Sequence, residues 1–198
     1  MKPKEFAILV AKRTTMPTNG QLLTNPMTGD TYEYLETSKD SEGACVVIRA
    51  TVKSQGQLVP NHFHTLQDET FEVVDGQLTV WADGVRKVLS AGERITLPKN
   101  RPHNHYNGHT VPVTYIHTVT PGLDFDYLIE NLVGLAADGK KGGGGLVQQL
   151  VTLRYLDSKS FLSDMPLAAQ KALMVAVAPV ARLFGYRAIY KKYSGVEK

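Results

Sequence analysis

The chain has little of what would tie it to an oxidising compartment, a membrane or a nucleic acid. Its 198 residues include one cysteine, Cys45, so no internal disulfide can form. The apolar setting ACVVIRATV reads as a strand rather than a reactive thiol, and the cytoplasm is the expected compartment. A net charge of +3, with no basic stripe interleaved with aromatics in the first two-thirds, gives no reason to expect a nucleic-acid partner. Near the start, FAILVA is too short for a secretory leader and no small-residue cleavage site follows. The most hydrophobic run, ALMVAVAPVA from Ala172 to Ala181, is too short to span a bilayer. The run GGGG lacks the Lys and Ser or Thr of a phosphate-cradling loop.

What is there is an ordinary globular composition, 42% hydrophobic and 21% charged, in a chain close to the size of one domain with an appended part. Three regions are expected. Residues 1–43 read as an arm and hairpin, with turn formers at Asn25, Pro26, Thr28 and Gly29 before the alternating TYEYLET. Such an arm would cover a sheet edge or pair with another subunit. Residues 44–120 read as all strand: ACVVIRATV, FEVV, QLTVWA, VRKVL, RITL and VTYIHTVT, separated by turn signals such as Asp75-Gly76 and Asp83-Gly84. Short strands at such regular spacing predict a sandwich or barrel, a mainly β fold.

Residues 121–198 change to helical spacing. LDFDYLIENLVGLAADGK predicts one helix ending at Asp-Gly, Gly142 to Gly145 a break, and LVQQLVTLRYL a second helix. After the polar DSKS, a third is expected to start with Ser163 or Asp164 as cap and Pro166 just inside, with a kink at Pro179. Arg182, Arg187, Lys191 and Lys192 then form a basic tail with interleaved aromatics. The simpler expectation is a helix packed on the barrel or a partner; the sharper one is peripheral membrane contact through this helix.

The chemistry concentrates in Gly56 to Gly76, GQLVPNHFHTLQDETFEVVDG. On a strand, His62 and His64 project together while Phe63 points the other way. Glu69 lies an odd number of residues beyond His64, so a bend is required to bring its carboxylate to the same point; Thr65 to Asp68 suit it. Past the bend, Glu69, Phe71 and Val73 share the inner face. A neighbouring strand carrying His103 and His105 would complete a set of three imidazoles and one carboxylate. Such a set suits one divalent transition-metal ion: Fe, Mn, Ni, Cu or Zn. His105 shares the face of His103 but lies roughly 7 Å along the strand, which makes it a pocket-wall residue rather than a ligand. Phe71 and Val73 would make the pocket wall apolar. Tyr115 and His117 share a face, but the sequence does not say whether it is the inner one.

These residues resemble the two cupin motifs. Gly56, His62, His64, Glu69 and Gly76 meet every fixed position of the first, and Gly92, Pro98, His103 and Asn107 match the second. Asn100 stands where that motif has Gly, and Asn is the residue that best tolerates the same left-handed turn. Most of the chain is similar to bacterial cupins with a helical C-terminal extension. The resemblance implies a double-stranded β-helix, the cupin jelly-roll barrel, with His62, His64, Glu69 and His103 as metal ligands. It implies no one substrate, because the fold hosts many chemistries. One expectation is a quercetinase-like, metal-dependent dioxygenase acting on a small apolar or aromatic substrate, with Glu69 as base and Phe71, Val73 and His105 against the substrate. Another is a non-catalytic module that binds or senses a small ligand around a closed zinc site. Sugar epimerisation fits less well, since cupin epimerases use a His and Tyr pair without metal. The expected partners are a small-molecule ligand and a second copy of the chain, the homodimer following from the N-terminal arm and the apolar C-terminal helix.

Overall fold

A computed structural model describes residues 16–56, 59–140 and 144–198. The first fifteen residues, which hold the expected start of the arm, lie outside the described residues, as do the first two glycines of the GGGG break. Among the described residues, ten strands come first: β1 (Leu22–Thr24), β2 (Thr31–Glu36), β3 (Val46–Val52), β4 (His62–His64), β5 (Asp68–Asp75), β6 (Gln77–Ala82), β7 (Val85–Ser90), β8 (Arg94–Leu97), β9 (His103–Tyr106) and β10 (Val113–Thr120). They are followed by α1 (Phe125–Ala137), α2 (Gly145–Tyr155), β11 (Ser160–Leu162), α3 (Leu167–Leu183) and the short α4 (Lys191–Ser194).

The strands form two antiparallel sheets, one ordered β1-β2-β3-β10-β5-β8 and the other β11-β4-β9-β6-β7. The expected barrel is therefore not closed: the sheets face each other without a hydrogen-bonded seam among the described residues. Alternation explains the core. In β3 and β10 every second residue is buried, which sends Ile48, Ala50, Tyr115 and His117 inward and answers the open question about the Tyr115 face. Asp83 and Gly84, both at positive φ, form the two-residue turn that joins β6 to β7.

The hairpin of β1 and β2 pairs with β3 of its own chain, so residues 22–36 extend the sheet edge. Cys45 lies just before β3, and its thiol donates to Glu36 Oε2 at 3.3 Å.

The C-terminal part departs from the expected order in two places. At the end of the polar DSKS, where no strand was expected, β11 begins and pairs antiparallel with β4, and Phe161 of β11 is buried against Phe63. A three-residue edge strand has too little alternation to be seen locally. Helix α3 starts one residue after Pro166, which occupies the cap position itself, and Gln170 Nε2 reaches back to the Leu162 and Met165 carbonyls. The helix runs through Pro179. It packs on α2 through Met174, Ala178 and Ala181, while Leu183 and Phe184 stay 84% and 79% exposed. The basic tail is tied back to the protein by ion pairs of Arg187 with Glu197, Lys192 with Asp138 and Lys198 with Asp124. No helix among the described residues is long and apolar enough to cross a membrane.

Candidate metal centre

The two sheets meet at one polar cluster. From the five-stranded sheet, β4 sends His62 and His64 inward, and β9 places His103 beside them because His62 and His103 are register partners. From the six-stranded sheet, β5 sends Glu69. The bend between β4 and β5 is held from outside: Gln67 Nε2 donates to the Pro121 and Gly122 carbonyls and to Ser158 Oγ, at 2.9, 3.2 and 3.1 Å. Asp68 Oδ1 accepts from the Lys99 amide at 2.7 Å. The local propensity of Asp and Thr for turns is thus joined by a buried glutamine anchored in the C-terminal part.

His62, His64, Glu69 and His103 are all buried, and one donor atom from each lies within 4.8 Å of the others. His62 Nδ1 pairs with the Pro60 carbonyl at 2.9 Å, and His103 Nδ1 with the Arg101 carbonyl at 2.8 Å. Each carbonyl fixes a ring by its Nδ1–H and turns Nε2 toward the cluster, the arrangement typical of metal-binding imidazoles. His64 has no hydrogen-bond partner at either ring nitrogen. Burying two unsatisfied nitrogens is costly, and an ion at this point would satisfy one of them. The donor set fits a divalent transition metal.

Glu69 ties the cluster together. Its Oε2 accepts from His103 Nε2 at 2.7 Å and lies 3.5 Å from His64 Nε2, while its Oε1 accepts from His117 Nε2 at 2.9 Å. Burial alone would raise this carboxyl, but the charges of His64 and His117 and the bonds from His103 and His117 hold it well below its usual value. Burial pushes His64 down to about 4 and His105 to about 3, while His62 is also lowered by burial. Burial works against a charge on His103 too, but its bond to Glu69 raises it.

A cavity of about 360 Å³ opens onto His62, His64 and Glu69, a volume within the range of small-molecule sites. His103 lies outside its lining. Tyr32, His105, Tyr115 and His117 supply polar groups to the wall. Burial raises the Tyr32 hydroxyl to about 12 and Tyr115 well above its usual value, so both remain protonated donors. His105 thus stands on the wall, its Nδ1 without a partner. Phe71 and Val73 are fully buried behind the wall, in the core between the sheets; Phe71 stacks on His117 at 4.4 Å between ring centroids. The apolar wall comes instead from β3 and α1. His117 and α1 are the parts of the site that sequence reasoning missed; the shared parity of Tyr115 and His117 was the available signal.

A two-sheet fold with a buried histidine and carboxylate cluster between the sheets defines a β-sandwich with a candidate metal centre. Residues 48–119 match the family model described as cupin domain. Over 80 residues it is 29% identical to quercetin 2,3-dioxygenase of Bacillus subtilis (strain 168); the match covers 40% of this chain and 23% of that relative. Among solved structures, a sugar phosphate isomerase from Silicibacter pomeroyi aligns with a TM-score of 0.41 and 20% identity, over 46% of this chain and 59% of the other. KdgF from Halomonas sp. aligns with a TM-score of 0.43 and 18% identity, over 49% and 84%.

Proposed function

We propose that this chain is a metal-dependent oxygenase of the dioxygenase type, acting on a small, largely apolar or aromatic substrate. The observation that carries the reading is the cavity that ends on three of the four candidate ligands, so a substrate atom can reach the centre. The partial likeness to quercetin 2,3-dioxygenase supports the same class. His62, His64, Glu69 and His103 would hold one divalent ion, and that ion would polarise a substrate oxygen as a Lewis acid. Glu69 would take the substrate proton, since the neighbouring histidines keep its carboxyl ionised within the site. His105 and Tyr115 would orient the substrate from the wall. Elemental analysis of protein purified without chelator, followed by oxygen-uptake assays with phenols and β-diketones, tests the proposal. Redox-capable metal with oxygen consumption is the expected result; metal-loaded protein that consumes no oxygen with any of them argues against it.

A second reading rests on the number of donors. Three imidazoles and one carboxylate already complete a four-coordinate zinc shell, which would suit a non-catalytic module that binds a small ligand. Stoichiometric zinc, with no coordination position exchangeable by azide or cyanide in the cobalt-substituted protein, would favour that reading.

A further inference from the structure

Helix α1 gives the cavity its length. Phe125, Leu128, Ile129, Leu132, Val133 and Ala136 all line it, and their spacing is that of one continuous helical stripe. From Phe125 to Ala136 the helix axis advances about 16 Å, at roughly 1.5 Å per residue. The near end lies at the metal centre, where the Phe125 ring stands edge-on to His117 with centroids 5.4 Å apart. Beyond the far end, the Lys140 amide donates to the Leu135 carbonyl at 2.8 Å, which folds Lys140 back over the last turn of the helix.

Lys140 is, among the described residues, the only cationic side chain on the cavity wall, setting aside the imidazoles. Among the described residues, no carboxylate stands within ion-pair distance of it. The nearby Asp138 feels the charge of Lys140 but is engaged directly by Lys192 and by the Tyr193 hydroxyl. The cavity thus has an apolar body, a positive charge without a direct ion-pair partner at one end and the histidine cluster at the other.

We infer that the ligand of this cavity is an elongated monocarboxylic acid of the fatty-acid type, its apolar body laid along α1, its carboxylate at Lys140 and its far end at Glu69 and His117. The inference rests on reading this cavity as the ligand site, and it names the substrate class. An apolar body gains by leaving water against the α1 stripe, while the carboxylate gains from the Lys140 ammonium at an exposed position. The length of the stripe favours a chain over a compact ring system. The helical extension, rather than the sheets, would then set which chain length fits.

Isothermal titration calorimetry of the protein as purified, with decanoate, 1-decanol and decyltrimethylammonium, tests this. Decanoate should bind tightest, and Lys140→Gln should weaken it roughly three- to fivefold, the range of an exposed ion pair, with decanol unaffected. Val133→Trp, which fills the stripe, should weaken both acid and alcohol by at least about tenfold, the effect of losing a well-packed apolar contact. Should that variant fail to fold by circular dichroism, Lys140→Gln at its exposed position still decides. Equal affinity for decanoate and decanol, preference for the ammonium, or unchanged binding by folded Val133→Trp would overturn the inference. Metal content measured on the same samples separates the two readings. Decanoate binding without divalent metal sinks the proposed oxygenase and leaves this inference standing; metal without decanoate binding does the reverse.

Discussion

His117 Nε2 donates to Glu69 Oε1 at 2.9 Å, so the two oxygens of one buried carboxylate are divided between different neighbours. Oε2 faces His103 and His64, and Oε1 is held by a ring that is itself stacked on Phe71 and set edge-on to Phe125. Packing on two sides leaves that imidazole little freedom to turn. Glu69 therefore offers an ion one oxygen, in an orientation set by a residue outside the group of four.

Removing the hydrogen bond while keeping the ring shape tests this role. His117→Phe should reduce affinity for divalent ions roughly ten- to hundredfold, the usual cost of losing a partner that orients a metal ligand. His117→Asn should retain more of the affinity if its amide reaches Oε1. Competition with a chromophoric chelator measures both. Native affinity in folded His117→Phe would show that the bond does nothing for the ion.

The contrast between His117 and the four candidate ligands shows what a sequence makes legible here. His62, His64 and Glu69 were readable because strand parity and one required bend act over a dozen residues. His103 needed only a neighbouring strand at the right register, and the pairing of His62 with His103 supplies it. The direction of His117 was not readable, because the inner face of β10 is decided by β3 and β5, which lie far away along the chain. The same holds for α1: its stripe predicted a helix, but not that the stripe would face a cavity. Phe71 and Val73 were placed on the inner face correctly by parity, yet the inner face holds core as well as cavity wall, and parity does not separate the two.

Protein stripped of metal should lose stability as pH falls. His64, at about 4, and His105, at about 3, sit below the ordinary histidine value of 6.5 because burial disfavours their charged forms; His62 is lowered for the same reason. Below about pH 6.5 the unfolded chain takes up protons at these sites and the native state does not, so stability present above that pH is lost toward pH 4. His103 is raised and works in the opposite direction, but it is outnumbered. A loss on the order of 3 kcal/mol from His64 alone is expected across that window. Urea denaturation of chelator-treated protein at pH 7.5 and 4.5 reads it, and equal stability at both would mean that these imidazoles are solvated.

Strand β11 makes the C-terminal part a structural support of β4. Phe161 is 1% exposed, and β11 runs along the strand that carries His62 and His64. Phe161→Ala should cost about 3–5 kcal/mol, the range for truncating a buried aromatic. It should also lower metal affinity, since β4 loses a neighbour on one side. Chemical denaturation and chelator competition on the same variant check the two effects. Full affinity in a destabilised variant would show that β4 keeps its geometry through β9 alone.

Asn100 connects a turn to the centre. It adopts φ of +62°, where a glycine would carry no strain, and its backbone amide donates to the His64 carbonyl at 2.7 Å. The left-handed conformation is thus what aims the amide at the strand of a candidate ligand. Asn100→Gly keeps that conformation accessible and should change stability by less than about 1 kcal/mol, the extra unfolded-state freedom of glycine being offset by relief of strain. Asn100→Val keeps the amide but adds a branched side chain, for which left-handed geometry costs at least about 1–2 kcal/mol. The turn should then open, and the bond to His64 should weaken with it. Loss of both stability and metal affinity in Asn100→Val, with neither lost in Asn100→Gly, would tie the effect to backbone conformation. Equal loss in both variants would assign it to the asparagine side chain instead.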